Sequence, residues 1–127
     1  MSRVDFYILN GNMTAPRFSC SIANKAWSLA DAVYIMVKDT DEADEMDDLL
    51  WTYKDISFLP HKKIDQEVEA PIIIGWPEVA PPEANVIINL TGSIPSCIDH
   101  YKRSVEVIEE DPSQLLQGRK RYKWYRD

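Results

Sequence analysis

The stretch AVYIMV at residues 32–37 decides the fold. A nearly continuous apolar run of this kind fits a strand buried on both faces, as in a parallel sheet covered by helices on each side. The flanking sequence agrees. Residues 4–9 (VDFYIL) form an apolar, β-rich run that Asn10-Gly11-Asn12 breaks. A helix is predicted over 16–30, with Phe18, Ile22, Ala26 and Leu29 on one face.

On the other side of the decisive run, residues 39–48 (DTDEADEMDD) hold seven acidic groups. Acids suit the first turns of a helix, with Asp39 or Thr40 as N-cap and Met46, Leu49 and Leu50 as the buried face. A calcium loop would need a central glycine and a distal glutamate, and this run has neither. The helix is expected to end near Trp51, and 52–71 reads as irregular. Further strands are predicted at 72–75 (IIIG), 86–90 (VIINL) and 104–108 (SVEVI), with a Pro-rich loop PEVAPPEA and a short helix at 94–101 between them. Asp111-Pro112-Ser113 opens a last helix. Strands thus alternate with helices, which predicts an α/β fold with a mainly parallel, five-stranded sheet in a single domain over 1–127.

Such a sheet invites a nucleotide. Four glycines, Gly11, Gly75, Gly92 and Gly118, build neither G-x-G-x-x-G nor a P-loop. Asn10-Gly11-Asn12 and Thr91-Gly92-Ser93 therefore read as ordinary strand-end turns. No G-x-S-x-G elbow or local nucleophile–base pair occurs. Cys20 and Cys97 form no C-x-x-C pair and read as buried, reduced thiols; His61 and His100 read as a packing and a surface residue. No cofactor, metal or catalytic residue is predicted. With no signal peptide and no apolar run near the ~20 residues of a membrane span, a cytoplasmic protein without membrane contact is expected.

Charge is unevenly spread. The segment RKRYKWYRD at 119–127 holds five basic groups and one acidic, while the whole chain carries −7, which leaves −11 on the remainder. On a helix, Arg119, Tyr122, Lys123 and Arg126 share a stripe, and Lys120 and Trp124 another with Leu116 before them. Guanidinium, phenol and ammonium groups together suit a carboxylate beside an apolar side chain. They also suit stacked single-stranded bases, or a plain solvated helix end. The acidic body opposes a polyanion at long range. Trp51 and Phe58-Leu59 read either as a core plug or as an exposed partner patch.

Several stretches together carry a resemblance: FYIL followed by Asn10, W-x6-F-[LV]-P-H from Trp51 to His61, IIIGWP at 72–77, VIINL at 86–90, and RYKWYR at 121–126. In this order they resemble the chi subunits of bacterial DNA polymerase III holoenzyme. The resemblance implies a Rossmann-like, three-layer domain without nucleotide binding. It implies a replication adaptor, an accessory subunit of the polymerase and not itself an enzyme. Family members bind the psi subunit of the clamp-loader complex and the acidic, Phe-terminated tail of single-stranded DNA-binding protein, and so meet DNA only indirectly. By motif, the tail site would comprise Arg119, Tyr122, Lys123 and Arg126, and the psi site Trp51, Phe58, Leu59 and Pro60. Leu116 stands where the family often has a basic residue, deepening a Phe pocket at the cost of charge. The alternative is a protein that binds single-stranded nucleic acid directly through the basic, aromatic last helix.

Overall fold

The computed structural model describes residues 3–53 and 59–126. In chain order the elements are β1 (Arg3–Ile8), α1 (Ala15–Ser28), β2 (Val33–Met36), α2 (Thr40–Thr52), β3 (His61–Lys63), β4 (Ile72–Gly75), β5 (Val86–Asn89), β6 (Arg103–Ile108) and α3 (Pro112–Arg126). The strands form one sheet in the order β1-β6-β5-β2-β4-β3, and every pair is parallel. This is the predicted α/β architecture with one strand more than the sequence indicated. The extra strand, β3, falls in the stretch read as irregular. His-Lys-Lys at a sheet edge carries no apolar alternation, because an edge strand needs only one bonded side.

The strands that the sequence marked by unbroken apolar runs occupy the sheet centre. All four residues of β2 and all four of β5 are buried. Two apolar layers flank them. One lies under α1 and α2 and includes Cys20, Ala23, Ile35, Met46, Leu50, Ile74 and Ile88. The other, on the opposite face, gathers Tyr34, Met36, Ile87, Ile98 and Tyr101, with Tyr125 of α3 packed against it.

Local signals set the helix ends. Thr14 Oγ1 accepts from Arg17 N at 3.3 Å to start α1. Asp39 Oδ1 accepts from Glu42 N at 2.9 Å, and Glu42 Oε1 in turn accepts from Lys38 N at 3.0 Å. The acidic run is therefore a capped helix start, as its position suggested. Asp111 caps α3 through Gln114 N at 3.0 Å. Two expectations need correction. Leu29 is 69% exposed, because α1 stops at Ser28 and the chain turns away through Ala30 at φ 65°. The helix predicted over 94–101 is only a single 3-10 turn, Ile98–His100, in a segment interrupted by Pro95. Among the described residues no helix is long and apolar enough to cross a membrane.

Candidate functional site

The last helix runs back across the sheet face from the C-terminal end of β6. Its seating depends on one close approach and one buried polar cluster. Gly118 lies against Ile108 of β6, so close that a Cβ at this position would meet Ile108 Cδ1 at 2.3 Å. One turn further, Arg121 Nε donates to Glu106 Oε1 at 2.9 Å, and the Tyr125 hydroxyl donates to Glu106 Oε2 at 2.8 Å. Glu106 is fully buried on β6 and also accepts from Asn89 Nδ2 at 2.7 Å. The second Arg121 arm, Nη1, donates to Gly92 O at 2.9 Å. A buried carboxylate is tolerated only when paired and hydrogen-bonded, and α3 supplies two of its partners. Burial, and then the neighbouring Glu106 charge, push the Tyr125 pKa well above the usual phenol value, so the hydroxyl remains a donor.

These contacts fix the helix rotation. Arg121 points toward the loop after β5, while the Tyr122 ring lies edge-on to Phe6 of β1, with centroids 5.3 Å apart. At ~100° per residue, Leu116, Arg119, Tyr122, Lys123 and Arg126 then share a sector of ~120° that runs from the β1 flank, at Tyr122, to the side facing away from the sheet, at Lys123 and Leu116. All five are exposed, Leu116 to 52% and Tyr122 to 53%. The structure thus brings the predicted tail-site residues together on one side. Among the described residues, no ion pair holds Arg119 or Lys123. Lys120 and Trp124 are exposed beyond this sector, on the flank opposite Tyr122, and Arg121 alone of the five basic groups turns inward.

The second predicted surface is at the far edge of the sheet. Trp51, at the end of α2, is 54% exposed and packs edge-on to the His61 ring at 4.8 Å. His61 is buried on β3; its Nε2 lies 3.2 Å from Asp47 and its Nδ1 2.5 Å from Leu59 O. This ring is the platform on which Trp51 rests. Leu59 is buried in the main core and Pro60 is half-buried. Phe58 lies outside the described residues.

A third region follows from the fold. A cavity of about 350 Å³ opens at the C-terminal ends of the strands, between Asn89, Thr91 and the first turns of α1 and α3. In dinucleotide-binding folds the helix after the first strand turns its N-terminal amides toward a phosphate. Here Glu109 takes that place, accepting from Ala15 N at 2.6 Å, while Glu110 accepts from Gly11 N at 2.9 Å. Glu42, Glu45 and Glu109 also line the cavity. Lys38 and Arg121 line it too, and the chain's own Glu109 carboxylate occupies the anion position.

Glu106, Asn89 and the inward role of Arg121 escaped the sequence reading. One signal was available: a glutamate in the middle of SVEVI, an apolar strand run, requires a buried cationic partner.

Comparison with known proteins finds similarity along the whole chain. The family model described as DNA polymerase III chi subunit, HolC, matches residues 1–127. The DNA polymerase III subunit chi of Pseudomonas aeruginosa is 30% identical, over 100% of this chain and 91% of that protein. That of Escherichia coli is 27% identical over 99% of this chain and 92% of its own length. That of Haemophilus influenzae is 28% identical, over 95% and 88%.

Proposed function

The chain belongs to the DNA polymerase III chi subunit family, and we propose that it serves DNA replication as a non-catalytic adaptor with two docking surfaces. One holds the acidic C-terminal tail of single-stranded DNA-binding protein, and the other holds the psi subunit of the clamp-loader complex. The observation that carries the tail assignment is the β1-flank sector of α3. It sets three outward cations, Arg119, Lys123 and Arg126, around two exposed apolar groups, Leu116 and Tyr122, on a chain of net charge −7. A short peptide with clustered acids and a terminal apolar residue fits this small patch. A long polyanion would meet the acidic body as well.

In this reading Arg119 and Lys123 grip the tail's carboxylates, Arg126 extends the positive field, and Leu116 and Tyr122 wall the terminal phenyl ring. The psi surface centres on exposed Trp51, with Phe58 and Pro60, while Leu59 is buried in the main core. Aromatic anchors of this kind dominate interface energetics. The two surfaces lie at opposite edges of the sheet, since α3 packs over β1 and β6 while α2 and β3 flank the other edge. Both partners can therefore be held at once, and modest affinities multiply through linkage.

A pull-down with the surfaces altered separately tests this. Trp51→Ala with Phe58→Ala should abolish psi capture and leave tail capture intact. Arg119→Ala with Lys123→Ala should do the reverse. Loss of both partners in either variant, or of neither, contradicts the two-surface assignment.

A further inference from the structure

The free edge of β1 borders the α3 sector, and its geometry specifies how a peptide would lie there. β1 is the outermost strand on its side, and among the described residues no element pairs with its outer edge. Arg3 N donates to Lys102 O at 2.9 Å and Leu9 N donates to Ile108 O at 2.8 Å. Alternate residues of a strand aim their backbone groups at opposite neighbours. Arg3, Asp5, Tyr7 and Leu9 therefore face β6, while Val4, Phe6 and Ile8 present N–H and C=O to the open edge. The side chains of those three residues also share a face, because Phe6 meets Tyr122 and Tyr125 of α3 whereas Tyr7 meets Phe18 of α1. Val4, Phe6 and Ile8 thus form the apolar floor of a groove whose wall is α3.

The levels along this groove can be matched. Phe6 lies beside Tyr122 and Tyr125; Ile8 pairs with Ile108, which touches Gly118. Two strand residues advance ~6.6 Å, the rise of about four helix residues. Ile8, 61% exposed, therefore sits level with Arg119, and the Val4 end lies toward Arg126. Apolar Ile8 and Leu116 flank Arg119 at one end; Lys123 and Arg126 follow toward the other.

We propose that the acidic, apolar-terminated peptide binds as an added strand on the free edge of β1, parallel to it. Its terminal ring and carboxylate sit at Ile8, Leu116 and Arg119, and its upstream acids lie toward Lys123 and Arg126. This rests on the α3 reading above and adds the backbone as a ligand. Strand addition supplies affinity through main-chain hydrogen bonds, while alternate side chains provide selectivity. The charge complementarity of the wall selects an acidic peptide over a neutral one.

Amide hydrogen exchange by NMR tests it, using a synthetic acidic peptide with a C-terminal Phe and free carboxylate. In the unbound protein the Val4, Phe6 and Ile8 amides should exchange fast and those of Asp5 and Tyr7 slowly. Saturating peptide should slow the first three by about tenfold or more, and N-methylation of alternate peptide amides should weaken binding by about tenfold. A spin label on the peptide's amino end should broaden signals near Val4 and Arg126; broadening near Ile8 instead overturns the parallel direction. If the peptide binds in an Arg119-dependent manner and the three amides stay unprotected, strand addition is wrong and the α3 site stands. If it binds with no dependence on Arg119 and Lys123, or not at all, both readings fall. Protection that appears without peptide as protein concentration rises would put a second copy on the edge and overturn the proposal.

Discussion

Arg119 and Arg121 stand two residues apart on the same helix and face different ways. Arg121 turns into the protein, where it neutralises the buried Glu106 carboxylate and ties α3 to the loop at Gly92. Arg119 turns away from the sheet on the β1 flank and is exposed. The same side-chain type is thus a structural clamp on one flank and, in the proposed function, a ligand-binding group on the other. Composition groups all five cations of the tip together; helical spacing sets Arg121 apart from the Arg119 stripe, and only the rotation of the helix shows which of them faces inward. A basic cluster on an acidic protein should therefore be counted after its buried partners are subtracted.

Removing the buried carboxylate has the largest expected effect. Glu106→Ala leaves Arg121 without its counter-ion, strips Tyr125 of its acceptor and leaves Asn89 Nδ2 only Ser93 O. Urea denaturation should show a loss of about 3–5 kcal/mol. The clamp account fails if the variant is as stable as the wild type. A smaller effect comes from the close approach at Gly118. Gly118→Val should cost about 1–3 kcal/mol by overpacking against buried Ile108, and Ile108→Ala in the same chain should recover part of that loss relative to Ile108→Ala alone. Full additivity of the two changes would show that the approach is not what limits the position.

Tyr125 gives a pH-dependent view of the same inner flank. Its pKa is raised in the folded state by burial and then by Glu106, so the native protein keeps a proton that the unfolded chain releases. That stability is complete below the ordinary tyrosine value of about 10 and is lost as pH rises above it. The melting temperature should fall more steeply between about pH 9.5 and 11 in the wild type than in Tyr125→Phe. Equal slopes would remove Tyr125 from the account. The smallest expected effect belongs to the outer flank: Arg119→Ala should change stability by no more than about 0.5 kcal/mol, measured in the same urea titration. A loss as large as that of Glu106→Ala would erase the distinction between the flanks.

Much of the fold was legible because the central strands are buried on both faces. Runs such as YIM, III and VII can hardly be anything else. The helix starts were legible because Asp39 and Asp111 act through local hydrogen bonds. What escaped reading depended on distant neighbours. β3 exists because β4 offers it an edge, and its own residues carry no pattern. Leu29 matched a helical face that Ala30, in a left-handed conformation, had already ended. The tip's stripe of Arg119, Tyr122, Lys123 and Arg126 followed from helical spacing, yet the flank it faces did not. That required Gly118 to be pressed against Ile108 and Phe6 to meet Tyr122. The division between buried Leu59 and exposed Trp51, residues that one motif spans, was equally invisible to periodicity.

In the proposed function the outer flank of α3 binds an acidic, Phe-terminated tail while the inner flank only holds the helix in place. Calorimetric titration of such a peptide into wild type and into Arg119→Ala/Lys123→Ala measures this directly, with thermal melts confirming that both are folded. A loss of affinity of at least about tenfold at unchanged melting temperature is expected, with wild-type binding that weakens steadily with added salt. Equal affinity for the two proteins would contradict it.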